Sequence, residues 1–208
     1  MDHSLSDAQM ALAEALHRAR NDLQAVVSML RLQASVSADA TVRAALLDAE
    51  IRVSALASLN TRLDAAAKEA GAVFDSAVFI EGLATDLQGM HFGRRSITLR
   101  LDVEAHSLDA AHGKPLGLIL NELVVNALKY AFAGVDGGVV SISFRQEGGD
   151  YMLAVADDGV GMDIAAPARG TGLGTRLVRG LARQIGGQFE VRRGEGTTCT
   201  VRWPVIAA

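Results

Sequence analysis

Apolar residues recur at two different periods along this chain, and the change of period divides it. Leu12, Leu16, Ala19, Leu23, Val26, Val27 and Leu30 fall at three- and four-residue steps, which gives a helix one apolar stripe. Ser6 followed by Gln9 has the form of a capping box, so the first predicted helix runs from there to about Ala34. After the small, polar stretch Ser35 to Ala40, Asp39 or Thr41 can cap a second helix. It carries Val42, Leu46, Ala49, Val53, Leu56 and Leu63 and stops near Gly71. Two long helices joined by a short connection form an antiparallel hairpin, whose apolar seam needs a cover from a second hairpin or another domain.

From Ala72 glycines appear and a two-residue alternation enters. Asp75 can cap a helix from Ser76 to about Met90, and Ser96 to Val103 alternates Ile97, Leu99, Leu101 and Val103 as a half-buried strand. Ser107 to Asp109 reads as a short strand. Pro115 then opens a helix over Leu116 to Phe132, at a first-turn position that tolerates proline. Val139 to Gln146 and Tyr151 to Ala156 alternate as strands around the pair Gly148, Gly149. A helix with Leu177, Val178, Leu181 and Ile185 ends at Gly186 and Gly187, and a last hairpin sets Phe189 and Val191 against Cys199, Val201 and Trp203. The expected architecture is an α-helical hairpin over residues 1–71, then an α+β two-layer sandwich over 72–208.

Half of the 208 residues are apolar and only 4% are aromatic, so the core is expected to pack through aliphatic and small side chains. A net charge of −4 argues for neither a nucleic-acid partner nor an anionic membrane surface. Cys199 is the single cysteine, and the five histidines have no metal-ligand spacing. The amino terminus has no basic region followed by an apolar run, and no segment offers eighteen uninterrupted apolar residues. These features predict a soluble, cytoplasmic protein without a membrane span and without a metal site built from protein ligands alone.

The segment LGLILNELVVNALKYAF departs from a plain core helix. Leu116, Leu120, Leu123, Ala127 and Leu128 make its apolar stripe, while Glu122, Asn126 and Lys129 recur at i, i+4 and i+7 on another face, with Tyr130 beside them. Burying such groups is costly unless partners meet them. Farther on, DDGVGM at 157 to 162 follows a strand, and GTGLG at 170 to 174 leads into a helix whose first N–H groups favour phosphate. Each glycine run alone is an ordinary turn signal; the combination is not.

NELVVNALKY, DDGVGM, GTGLG and GEGTT, in that order, resemble the GHKL (Bergerat-fold) ATP-binding domain of gyrase, the Hsp90 chaperones, histidine kinases and MutL, over about Phe74 to Pro204. The resemblance implies ATP and Mg2+ as ligands, with Asn126 on the metal and Glu122 near the metal or the γ-phosphate. It implies Lys129 and Tyr130 along the nucleotide, and Asp157 accepting the adenine amino group. Gly159 and Gly161 would admit the purine, and Gly170, Thr171, Gly172, Leu173 and Gly174 would wrap the phosphates. Arg169, ending a lid from Met162, would reach a phosphate, and Thr197 or Thr198 would close the adenine side.

In the first domain, HRARNDLQAVVSMLRLQ resembles the phosphoacceptor box of the HRxxN-type sensor histidine kinases. The resemblance makes His17 the acceptor and Asn21 a residue that positions its ring. Arg18 stands where many histidine kinases carry an acid, so Glu14, three residues before His17, becomes the candidate to orient or deprotonate the imidazole. Asp22 stands where the branch commonly has a second asparagine. The function implied is an ATP-dependent protein histidine kinase. Its implied partners are a response-regulator receiver domain, a second copy through the hairpin, and a sensor either separate or on a longer chain. A phosphotransfer shuttle and an anti-sigma-factor serine kinase are the competing readings.

Overall fold

The computed structural model describes residues 2–70, 73–89, 96–132, 134–135, 137–161 and 173–205. Within helices, the side chains of 2–13, 15–17, 20, 60–70 and 173 are outside the described set. The chain forms two compact units, Met1–Asp64 and Ala65–Ala208.

The first unit is built on α1 (Asp2–Val36) and α2 (Ala40–Ala70), the latter continuing into the second unit. Helix α1 begins at Asp2, so Ser6 lies inside it rather than capping it. Asp39 caps α2: its Oδ1 accepts from the N–H groups of Thr41 (2.7 Å) and Val42 (3.2 Å), the donors that a helix start leaves without partners. Arg31 of α1 meets the Glu50 carboxylate of α2 at 2.5 Å. Ala34, Ala55 and Leu59 are buried, whereas Val26, Met29, Leu32 and Val36 on α1 and Val42 and Leu47 on α2 are exposed.

The second unit contains β1 (Val73–Asp75), α3 (Ser76–Leu87), β2 (Ser96–Val103), β3 (Ser107–Asp109), α4 (Ala110–Tyr130), β4 (Gly137–Glu147), β5 (Asp150–Asp157), α5 (Leu173–Gln184), β6 (Gln188–Gly194) and β7 (Gly196–Pro204). A five-stranded sheet runs β2-β4-β5-β7-β6, with β2 parallel to β4 and the other pairs antiparallel. The short pair β1-β3 is a separate antiparallel ribbon. Alternation decides which face is covered. Val140, Ile142 and Phe144 of β4, Leu153 and Val155 of β5, and Val201 and Trp203 of β7 are buried beneath the helical layer. This is the two-layer sandwich expected.

Local signals account for most of the boundaries. Asp75 caps α3 through Val78 N–H. Gly148 and Gly149 both have positive φ, +58° and +88°, the mirror-image turn whose twist suits a two-residue hairpin. Helix α5 ends in a Schellman arrangement, with Gly187 N–H on the Ala182 carbonyl, Gly186 N–H on that of Arg183, and Gly186 at φ +74°. Pro115 is a correction. Helix α4 starts at Ala110, capped by Asp109 Oδ1 on Ala111 N–H at 2.7 Å, so Pro115 lies in its second turn. A proline there denies the Ala111 carbonyl its helical donor. Ala111 is exposed, so water can serve that carbonyl instead.

Candidate functional site

Helix α4 is buried on nearly every side. Beyond the predicted stripe, Ile119, Val124 and Val125 are also covered. The polar positions are correspondingly narrow. Asn126, Lys129 and Tyr130 are half-buried, while Glu122 and Asn121 are each only 2% exposed. The Oδ1 atom of Asn121 has no hydrogen-bond partner among the described residues. Glu122 and Asn126, one helical turn apart, offer oxygen atoms of the kind magnesium takes. The half-buried setting of Asn126 keeps its amide reachable and fits it to such an ion, whereas Glu122, one turn earlier, is almost fully buried.

Asp157 is the last residue of β5 and sits between two strands, with Val140 of β4 on one side and Thr197 of β7 on the other. Its Oδ1 accepts from the N–H groups of Gly159 and Thr197, both at 3.2 Å. Burial pushes this carboxyl above its ordinary range, against the two N–H donors that favour the ion, and the Asp158 charge adds to the rise. A half-buried acid with raised affinity for a proton also favours an outside hydrogen-bond donor. Thr197 is Asp157's register partner and shares its side of the sheet, whereas Thr198 points to the opposite side. Cys199, two residues along that side, has its thiol pushed up to about 11 by burial and by the Asp157 charge.

The chain beyond Asp157 crosses the end of α4. Val160 N–H donates to the Ala131 carbonyl at 2.9 Å. A Cβ on Gly159 would overlap that same carbonyl, and one on Gly196, whose φ is +99°, would overlap the carbonyl of Asp157. Gly161 has φ +69°. Asp157, Gly159, Gly161 and Thr197 are therefore gathered beside the carboxyl end of α4. Arg169, Gly170, Thr171 and Gly172 lie outside the described residues. Leu173 begins α5 with its side chain undescribed, and Gly174 is buried in the first turn.

In the first unit, Glu14, Arg18 and Asn21 are exposed on α1 at the i, i+4, i+7 spacing of one helix face. Glu14 Oε1 lies 3.4 Å from Arg18 Nη2. The side chain of His17 is outside the described set.

Three residues had no role in the sequence reading. A Cβ on Gly138 would strike the Phe132 ring and Asp158 Oδ1. Asp158 Oδ1 accepts from Val139 N–H at 2.7 Å. Asn121 is the third; its burial depends on tertiary packing and leaves no mark in the sequence.

Residues 111–207 match the family described as histidine kinase-, DNA gyrase B-, and HSP90-like ATPase, and residues 14–91 match a histidine kinase family. A blue-light-activated histidine kinase 2 of Erythrobacter litoralis is 30% identical over 93% of this chain and 57% of its own length. Sensor histidine kinase PdtaS of Mycobacterium tuberculosis is 29% identical over 98% of this chain and 41% of its own. The chain thus spans about half the length of these relatives. Among solved structures, the histidine kinase domain from the Erythrobacter litoralis EL346 blue-light activated histidine kinase is similar, with a TM-score of 0.66 and 28% identity. That match covers 96% of this chain and 93% of the other. No described helix is long and apolar enough to cross a membrane.

Proposed function

The chain belongs to the histidine kinases, and from that premise we propose that it phosphorylates its own His17 from ATP and passes the phosphoryl group to an aspartate on a response-regulator receiver domain. The observation that carries this reading is Asp157. It is a carboxylate held at a strand end by two backbone N–H groups, with Gly159 and Gly196 close by, and it is half removed from water. It suits the exocyclic amine of adenine, and it rejects guanine, which presents an oxygen there. Thr197 closes that side. On this reading Lys129 and Tyr130 would lie along the nucleotide, and Gly170, Gly172 and Gly174, with Thr171, Leu173 and Arg169, would enclose the phosphates.

Asn126 and Glu122 are the residues that would hold magnesium, which when bound neutralises charge on the phosphates. His17 attacks as a neutral imidazole, available because histidine titrates near pH 7. Its ring nitrogen bonds the γ-phosphorus as the bond to the ADP oxygen breaks. Glu14 accepts or orients the proton on the other ring nitrogen, and Asn21 steadies the ring. The exposed apolar residues Met29, Leu32, Val36, Val42 and Leu47 support pairing of two hairpins into a four-helix bundle.

The test is incubation with Mg-ATP labelled at the γ position. Acid-labile, alkali-stable label is expected, lost in His17→Ala and in Asn126→Ala, with both variants melting as wild type. Acid-resistant label would point to serine chemistry and sink the proposal. Absence of label, with phosphate accepted from another phosphoprotein, would make the chain a shuttle.

A further inference from the structure

The strand that ends at Asp157 does not end on a turn; it ends on the side chain of Asp158. Beyond the last ladder pair, Asp158 N–H donates to the Val139 carbonyl at 3.2 Å, and Asp158 Oδ1 accepts from Val139 N–H at 2.7 Å. The carboxylate oxygen thus occupies the place a further strand residue's carbonyl would take. Val139 keeps both of its backbone partners while the main chain turns away from the sheet. The bond lies at the exposed end of the sheet, so the side chain fixes where the departing segment sits while folding does not depend on it.

Two further contacts fix where the departing chain goes. Gly138, the neighbour of Val139, has no side chain, and any Cβ there would meet Asp158 Oδ1 and the Phe132 ring. Gly159 and Val160 then lie against Ala131, with Val160 N–H on its carbonyl. Asp158 is therefore pinned between the start of β4 and the end of α4, one residue from the base-recognising carboxylate. Both of the hydrogen bonds that hold Asp157, from Gly159 and Thr197, end on its Oδ1.

We propose that Asp158 is a positioning residue for base recognition: by pinning the 157–161 segment to Val139, its carboxylate aims Asp157 at the adenine amine. This rests on the ATP reading above, and it assigns Asp158 work that neither catalysis nor overall folding requires. The relevant property is an acceptor oxygen, not a charge. An amide oxygen can replace it, and a methyl group cannot.

The experiment uses the whole chain and measures ATP and GTP binding by calorimetry, alongside kcat and KM for self-labelling. Asp158→Ala is expected to weaken ATP binding about tenfold and raise KM to match, to leave kcat within about twofold, and to narrow the preference for ATP over GTP. Asp158→Asn is expected to keep wild-type affinity and preference. Unchanged ATP affinity in Asp158→Ala overturns the inference. So does equal damage in Asp158→Asn, or an affinity loss with the ATP to GTP ratio intact, which would mark a general structural defect. A wild-type chain that binds ATP but never labels His17 overturns the kinase reading and leaves the binding comparison to judge Asp158. One that binds no ATP overturns both.

Discussion

The end of β5 and the middle of α1 both carry proposed functional residues, and they are built in opposite ways. Asp157 is enclosed: strands flank it on both sides, two N–H groups hold it, and the adjoining backbone comes so close that Gly159 and Gly196 tolerate no side chain. Glu14, Arg18 and Asn21 are exposed on a helix, and the Glu14–Arg18 pair is a single-turn contact in water. The enclosed site can select a ligand because its geometry is imposed by the fold. The open one can present a side chain to more than one visitor, which is what an acceptor that takes a phosphoryl group from one protein module and yields it to another requires.

Substitutions should separate the two regions by size of effect. Gly196→Ala brings backbone against backbone at a positive φ, and the clash and strain together should cost about 3 kcal/mol or more. Denaturant unfolding followed by Trp203 fluorescence should show the loss, and a wild-type midpoint would mean that the strands separate easily there.

Asp157→Asn is the intermediate case. Losing a hydrogen bond to a charged group costs about 1.5–3 kcal/mol, a drop in ATP affinity of about ten- to a hundredfold by titration. Stability should move the other way. Burial raises the Asp157 pKa, so the folded chain keeps a proton that the unfolded chain releases near pH 4, about its ordinary value. Stability is therefore lost as pH rises from there through the folded value. Asp157→Asn should melt at or above the wild-type temperature at pH 7 and match it near pH 3. A lower melting temperature at pH 7 would make the carboxylate structural.

Glu14→Gln should have the smallest effect on stability, within about 0.5 kcal/mol for an exposed ion pair. If its carboxylate takes the proton from His17, the labelling rate falls by about a hundredfold. An unchanged rate removes Glu14 from the reaction.

The same contrast governs how much was legible in the sequence. Asp75, Gly148–Gly149 and Gly186–Gly187 act through local backbone geometry, so their signals sit in consecutive residues and the elements they bound were found. Pro115 misled because proline is commoner at a helix start. The real start, Asp109, became visible only with its bond to Ala111 N–H. Asp157 stood out by motif and position. Gly138 and Asp158 did not, because their roles depend on Phe132, Ala131 and Val139 meeting across elements distant in sequence. The choice between Thr197 and Thr198 likewise waited on register, since neighbouring strand residues point to opposite faces.

The pairing of Asp157 with Thr197 also sets a timetable. The parallel pair β2 and β4 cannot be closed by a tight turn, so the connection that joins them has to include the crossover through α4. The sheet then waits for β7, which follows β5 only after α5 and β6, to bring Thr197 N–H to the carboxylate. A chain that stops short of Gly196 already contains α4 and β5 but only part of the proposed adenine site. On the proposed reading, full-affinity ATP binding therefore reports on chains in which β7 is in place.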